Sequence, residues 1–262
     1  MRGLMSSQNN NMKEYMNKNM NNDYQLLGGR LNMLSAESGY RAAIDPVLMA
    51  ASVPAAKGER VLDVGCGTGA GALCLATRLS NTQVVGIDMQ APLISLAETI
   101  ADLNGLASEV KFFNCDLEHP TDYLKAGSFD HVMANPPHQK KGSGNPSPDP
   151  LKAAANVEGA AALADWVSFC FVMVKDGGSV TFVHRFDRLD ELAGLMVQGG
   201  AVRVFPLWPK IAGEGAKRVL VQAIKGSDGD IVRQDGMVLH TAENEYTAKA
   251  HAILREAAGL NF

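Results

Sequence analysis

Polar and apolar positions along this chain of 262 residues follow two alternating periods. Short runs rich in β-branched residues predict buried strands, and the stretches between them carry apolar residues at helical spacing. The strand-like runs are 61–64, 84–87, 110–113, 131–134, 179–184, 202–205 and 219–224. Between the fourth and fifth runs, a helix that carries Trp166, Val167, Cys170, Phe171 and Val174 on one face is predicted to stop at Gly177-Gly178. Strands that alternate with helices predict an α/β fold, here a doubly wound, mostly parallel sheet of seven strands with helices on both faces.

The two ends of the chain depart from this pattern. Residues 1–22 are rich in Asn and Met and poor in residues that could join a core, which predicts a disordered tail. Residues 23–262 are long enough for one sizeable core, and we expect a single domain there. Within it, residues 227–262 are predicted to add a strand pair and a helix.

Composition excludes several classes of protein. The net charge is -4, and residues 139–225 form the one net basic stretch, with 11 basic and 8 acidic groups. This balance argues against non-specific coating of nucleic acid but leaves room for a local basic patch. The four cysteines show no CxxC spacing, which predicts buried, reduced thiols and no metal site. No apolar run approaches the ~20 residues of a membrane helix, so a cytoplasmic protein without membrane contact is expected.

A glycine-rich turn follows the first strand, in Asp63-Val64-Gly65-Cys66-Gly67-Thr68-Gly69. Such a turn lets the backbone approach a nucleoside cofactor. The glycines also satisfy the dinucleotide pattern G-x-G-x-x-G/A, so by themselves they do not choose between cofactors. Asp63 favours S-adenosylmethionine, because a carboxylate here would repel the pyrophosphate of NAD and attract the ammonium group of S-adenosylmethionine.

Two further acids follow the next two strands. Asp88 closes the second strand, where it can accept hydrogen bonds from the ribose hydroxyls. Asp116 follows the third strand, where it can accept from the adenine amino group while Leu117 offers a backbone N–H. Any single acid of this kind could instead cap a helix or close a turn. Their order at successive strand ends favours a cofactor site.

Asn135-Pro136-Pro137-His138 follows the fourth strand and is the candidate catalytic motif. The exocyclic amine of adenine is a poor nucleophile, because its lone pair is delocalised into the ring. The side-chain oxygen of Asn135 and the backbone carbonyl of Pro136 can accept its two hydrogens and direct the lone pair at a methyl donor. The prolines fix the backbone, and His138 offers a ring on which a base can stack. A plain turn after a strand is the competing interpretation.

Several basic residues near this motif are candidates for contacts with substrate phosphates. They are Lys140, Lys141, Lys152, Lys217 and Arg218. The three lysines after His138 and the pair Lys217-Arg218 can be explained almost as well as solvated surface charges.

In this order the motifs resemble class I S-adenosylmethionine-dependent methyltransferases. The resemblance implies a cofactor site made by Asp63, Gly65, Cys66, Gly67, Gly69, Asp88, Met89, Asp116, Leu117 and Asn135. Position 138 departs from the commonest pattern, which has Tyr, Phe or Trp there.

A finer resemblance connects four segments with the bacterial valine-tRNA adenine-N6 methyltransferases, which modify the adenine 3′ of the anticodon. The segments are Leu26-Leu27-Gly28-Gly29-Arg30, Gly39-Tyr40-Arg41-Ala42-Ala43-Ile44-Asp45, Asn135-Pro136-Pro137 and Lys217-Arg218-Val219-Leu220. The resemblance implies that RNA, in particular tRNA, is the partner. It also implies that Tyr40, Arg41 and Asp45 border the methionine end of the cofactor.

Two other classes of function remain open on the sequence. The first is methylation of another substrate: ribosomal RNA, a protein glutamine or a small molecule could supply the amine, since an amide nitrogen suits the same two acceptors. The second is a non-catalytic RNA-binding protein on the same fold, against which the intact Asp63, Asp88 and Asn135 argue.

Overall fold

The computed structural model describes residues 23–35, 41–121, 123–138 and 161–262. The predicted tail, residues 1–22, lies outside this part of the chain. The strands are β1 (Tyr24–Leu26), β2 (Leu31–Met33), β3 (Arg60–Val64), β4 (Gln83–Asp88), β5 (Val110–Asn114), β6 (Phe129–Ala134), β7 (Val174–Arg185), β8 (Val202–Trp208), β9 (Arg218–Ile224), β10 (Ile231–Arg233) and β11 (Met237–Val238). The helices are α1 (Asp45–Ser52), α2 (Ala70–Arg78), α3 (Ala91–Leu103), α4 (Leu163–Met173), α5 (Leu189–Met196) and α6 (Ala248–Glu256).

The central sheet has the strand order β10-β8-β9-β7-β6-β3-β4-β5, and β11 also pairs with β8. The five strands from β5 to β7 run parallel, and β9 is antiparallel to both of its neighbours. All seven predicted strands are present in this sheet, and the prediction of a doubly wound, mostly parallel α/β fold is confirmed. A separate hairpin of β1 and β2, which the sequence pattern did not predict, precedes α1.

The strands are buried on both faces, so their side chains alternate between two cores. In β3, Val61 packs into the core on the side of α1, α2 and α3, whereas Leu62 and Val64 pack into the core on the side of α4 and α5. This two-sided burial is typical of parallel sheets covered by helices and explains the nearly continuous apolar runs in the sequence.

Two predictions, one on the end of a helix and one on strand pairing, are wrong. The fourth helix was expected to continue to Gly177-Gly178, but α4 ends at Met173, because Val174 is extended and pairs with Phe129 of β6. The strands β10 and β11 do not form a pair with each other. Each runs parallel to β8 and pairs with it, so that the C-terminal segment extends the sheet.

Other expectations concern the cysteines and the membrane. All four cysteines are buried free thiols, as predicted. Within the described residues, no helix is long and apolar enough to cross a membrane.

The last glycine of the turn, Gly69, brings α2 close to its neighbours. It precedes α2 in the left-handed conformation, with φ at 79°. A Cβ atom here would lie 2.6 Å from Cζ of Phe112 and 3.2 Å from Cβ of Ala97. Gly69 therefore fixes the approach of α2 to β5 and α3.

Replacing Gly69 by Ala should destabilise the protein more than replacing Gly58. Both glycines have positive φ, but a Cβ on Gly58 would meet no atom within 4 Å. Left-handed backbone costs a non-glycine residue about 1–2 kcal/mol, and overpacking against Phe112 should add ~1–3 kcal/mol for Gly69→Ala. Equilibrium unfolding in denaturant measures both variants. Equal losses of unfolding free energy would show that the contact with Phe112 is unimportant.

Candidate active site

A cavity of about 480 Å³ opens at the carboxyl ends of β3, β4 and β6. Its walls are the glycine turn, the residues that follow β4, β5 and β6, the start of α1 and single residues from α4 and β9. The neighbours of β3 are β4 on one side and β6 on the other, so the chain changes winding direction at this point. Open α/β sheets bind ligands at such a switch point.

The pairing of β3 with β6 sets the geometry of the cavity. Val64 lies opposite Ala134 in the parallel register. The next residue on each strand is therefore Gly65 on one side and Asn135 on the other. Both motifs found in the sequence thus lie next to each other at one edge of the sheet.

Asp88 anchors the glycine turn. One carboxylate oxygen accepts a hydrogen bond from the N–H of Gly67 at 2.9 Å, and the other accepts from the N–H of Gln90 at 2.8 Å. Burial raises the pKa of this carboxyl. An ionised carboxylate has roughly four acceptor sites, so Asp88 can hold the turn and still accept from hydroxyl groups of a ligand.

Asp63 is a buried acid below the turn. Its Oδ2 accepts a hydrogen bond from the N–H of Ala72 at 2.9 Å. Burial raises the pKa of Asp63 to about 7, and the nearby charge of Asp88 acts in the same direction. A cation that enters the cavity would stabilise the ionised form of Asp63, as expected for a partner of an ammonium group.

The opposite end of the cavity is more apolar. Met89 lies beside Asp88 with 69% of its surface exposed, and Leu93 and Leu117 also line the wall. Asp116 lines the same region, where its Oδ1 accepts from the N–H of Glu118 at 3.0 Å. It therefore closes a local turn as well as facing the cavity.

Asn135 contributes an unpaired acceptor. Its side-chain oxygen is buried and accepts no hydrogen bond from the described residues. An unsatisfied buried acceptor costs roughly 1–3 kcal/mol, which an incoming N–H would offset. No hydrogen bond to this oxygen within the described residues fixes the amide, and a half-turn about its last torsion exchanges the oxygen and the nitrogen. Pro136 and Pro137 line the cavity beside it.

His138 lines the cavity, but most of its side chain is covered by other residues. Only 15% of its side chain is exposed, and its Nε2 lies 3.6 Å from Oδ2 of Asp45. Its ring meets that of His184 edge to face, with centroids 5.3 Å apart. His184 is buried, its Nδ1 accepts from the N–H of Arg185, and burial together with nearby positive charge lowers its pKa to about 3. His138 is therefore held between Asp45 and a neutral imidazole.

Arg218 and Lys217, both predicted to bind phosphate, differ in position. Nε of Arg218 donates to Oδ2 of Asp45 at 2.6 Å, and Arg218 lines the cavity. Burial acts to raise the pKa of Asp45, but its interactions with His138 and Arg218 outweigh the effect of burial and lower the pKa. Lys217 is exposed and does not line the cavity, and its contact with a substrate phosphate stays a prediction.

Most of the other predicted residues meet at this cavity. Arg41 lines it, with its guanidinium over the ring of Tyr24 at 5.6 Å from the centroid. Cys66 also lines it, and burial raises the pKa of its thiol, so the thiol stays protonated. Gly69 was predicted to bind the cofactor, but it packs against Phe112 and does not line the cavity. Tyr40, Lys140, Lys141 and Lys152 lie outside the described residues.

Trp166 lines the cavity, although the sequence analysis did not name it as a site residue. Trp166, on α4, was expected to belong only to the apolar core face of that helix. Its ring instead lies against Gly65 of the turn and lines the cavity. Helical periodicity cannot identify this role, because it depends on where α4 packs relative to β3.

Comparisons with known proteins find methyltransferases. The model of the family described as Methyltransferase domain matches residues 55–165. A tRNA1(Val) (adenine(37)-N6)-methyltransferase of Aeromonas salmonicida is 28% identical over 211 residues, which cover 79% of this chain and 85% of that protein. These matches support a class I S-adenosylmethionine-dependent methyltransferase.

Two further proteins match this chain over much of its length. A putative protein N5-glutamine methyltransferase of Methanocaldococcus jannaschii is 28% identical over 166 residues, which cover 63% of this chain and 70% of that protein. The solved structure of a predicted O-methyltransferase of Agrobacterium tumefaciens matches with a TM-score of 0.70 at 21% identity, over 83% of this chain and 99% of the other. At that identity the match shows the shared fold.

The cofactor of the methyltransferase is S-adenosylmethionine. The residues of the cavity fit it, because a buried acid with a raised pKa suits an ammonium group and apolar side chains suit an adenine ring. Gly67 lines the cavity, and a Cβ atom built on it would meet no protein atom within 4 Å. Because glycine has no Cβ, this space stays open to a ligand. Among the described residues, no cluster of His, Cys, Asp or Glu could hold a metal ion.

Cofactor affinity should fall as the pH drops below the pKa of Asp63, which is about 7. The ammonium group favours ionised Asp63, so below this pH binding must expel a proton. The dissociation constant should rise by up to about tenfold per pH unit on the acid side and change little near pH 7.5. Isothermal titration calorimetry between about pH 5.5 and 7.5 measures this.

Two variants separate Asp63 from the other acids of the cavity. Asp63→Asn should bind the cofactor weakly with little pH dependence in this window, whereas Asp116→Asn should keep the wild-type slope. A wild-type affinity that does not change with pH would rule out Asp63 as the partner of the ammonium group.

Proposed function

We propose that this methyltransferase methylates the N6 amine of an adenine in RNA, specifically the adenine next to the anticodon of a tRNA. The unpaired oxygen of Asn135, beside the glycine turn, is the observation that carries the proposal. The adenine-N6 methyltransferase relative aligned over about four-fifths of this chain supports the same substrate.

The proposed chemistry requires a correctly positioned amine more than it requires a general base. When bound, S-adenosylmethionine supplies a methyl carbon on a positively charged sulfur, and the N–C bond forms as the C–S bond breaks. Asn135 and the carbonyl of Pro136 accept the two amine hydrogens and direct the nitrogen lone pair at this carbon. The nitrogen becomes positive as the bond forms, so the two acceptors stabilise the transition state. The excess proton then passes to water.

The side chain of Asn135 must adjust for this role. Its oxygen is covered by protein atoms. A half-turn of the amide presents the oxygen to the cavity without moving the backbone, which Pro136 and Pro137 hold in place. An incoming amine therefore meets an acceptor that has no other hydrogen bond to lose among the described residues.

An anticodon loop suits such a cavity, because its bases are already unpaired and can be turned outward at little cost. The acceptors recognise an amine rather than a particular ring, so the side chain of a protein glutamine is the second candidate substrate. The putative N5-glutamine methyltransferase among the relatives favours this candidate.

Separate pools of unmodified tRNA, ribosomal RNA and cell protein distinguish these substrates. Each pool is incubated with the protein and S-adenosylmethionine labelled in its methyl group, and the labelled product is digested and identified. We expect N6-methyladenosine from the tRNA pool. Label in protein alone, as methylglutamine, would contradict the tRNA proposal while leaving the cofactor site intact.

Replacing Asn135 by Ala should abolish transfer and leave cofactor binding nearly unchanged. Loss of one such acceptor from a preorganised site lowers kcat by roughly 10²–10³-fold. Single-turnover transfer and calorimetric cofactor affinity measure the two effects, with Asn261→Ala, at an exposed position near the C-terminus, as the control. If cofactor affinity fell in parallel with transfer, Asn135 would instead belong to the cofactor site.

A further inference from the structure

The ring of His138 is packed against other residues of the protein. It lies between Asp45 and His184, and little of it is exposed. Its Nε2 faces Asp45 and its ring meets that of His184, so little of the ring is left for a base to stack on. A second aromatic residue of the cavity offers another surface for the target base.

Trp166 lines the cavity beside the glycine turn. A Cβ built on Gly65 would lie 2.4 Å from Cη2 of Trp166 and 2.7 Å from Cζ3, so the six-membered ring rests directly on the backbone of the turn. Gly65 is the next residue after Val64, which pairs with Ala134, and Asn135 follows Ala134. The ring thus lies beside both the glycine turn and the catalytic motif.

The position of Trp166 in the fold favours the substrate over the cofactor. Its helix, α4, packs against β6 and β7, the half of the sheet that carries Asn135. The other half of the cavity has its own apolar residues, Met89, Leu93 and Leu117. Of the described residues that line the cavity, only Trp166 and His138 carry aromatic rings.

We propose that Trp166 supplies the surface on which the target base stacks, the role that the motif itself would give to position 138. This inference rests on the proposed function, since it requires that the group that receives the methyl is part of a planar ring. Base–aromatic stacking is insensitive to the identity of the base. Trp166 therefore holds the ring in place, and Asn135 and Pro136 select the amine.

Three variants test this role with a valine tRNA anticodon stem-loop as substrate. Trp166→Leu should raise the KM for the stem-loop roughly five- to a hundredfold, the range expected for one lost base–aromatic stack. Cofactor affinity should stay within about twofold, and Trp166→Phe should recover part of the loss, since a smaller ring still stacks. Trp208→Phe is the control, because Trp208 lies outside the cavity lining and its Nε1 donates to the carbonyl of Asp235.

Fluorescence keeps the test independent of turnover. The sequence has two tryptophans, so Trp208→Phe leaves Trp166 as the single tryptophan emitter. Stem-loops with adenine or with an abasic site at the target position are added to this variant together with S-adenosylhomocysteine. Quenching of Trp166 that requires the base supports the proposal, even if the stem-loop is not methylated and the proposed function fails.

Two results would overturn the assignment. Equal quenching by the two stem-loops would show that the base does not reach Trp166. A loss of cofactor affinity in both Trp166→Leu and Trp166→Phe, with an unchanged KM for the stem-loop, would place Trp166 in the cofactor site. Thermal unfolding of each variant shows whether a loss reflects folding, and the fluorescence comparison uses a chain in which Trp166 is intact.

Discussion

The parallel pairing of β3 with β6 is the constraint on which the active site depends. It places the glycine turn and Asn135 one residue beyond a matched pair, Val64 and Ala134. Both strands are buried on two faces, so a slip of one residue would exchange the side chains of the two cores. The packing of the sheet therefore fixes the distance between the cofactor-binding turn and the candidate acceptor of the amine.

Three buried acids around this edge are held in different ways, and their charges differ accordingly. Asp63 and Asp88 are stabilised mainly by backbone N–H groups, and burial raises the pKa of both. Asp45 is paired with Arg218 and His138, which lower its pKa. The cavity thus has one acid whose ionised form Arg218 stabilises, and two whose ionised forms a bound cation would stabilise. This difference suits a positively charged cofactor.

Much of the fold and of the site could be predicted from the sequence, because the signals are local. Strand runs, the glycine turn and Asn135-Pro136-Pro137 lie within short segments whose chemistry does not depend on distant residues. The environment of His138 could not be predicted in this way, because Asp45 and His184 come from far along the chain. The position of Trp166 at the cavity could not be predicted for the same reason. Its helical spacing fits a core position, and only tertiary packing brings it to Gly65. The short strands β10 and β11 form through pairing with β8 rather than through their own propensity.

A crystal structure with S-adenosylhomocysteine tests the central claim most directly, because it measures where the sulfur lies relative to Asn135. An amine bonded to Asn135 and poised to attack the methyl group requires the sulfur to lie roughly 5–6 Å from the side-chain amide. We expect that distance, with the glycine turn beneath the ligand and Asp63 near its ammonium group. A sulfur placed more than about 10 Å from Asn135 would leave no room for such a geometry and would contradict the account.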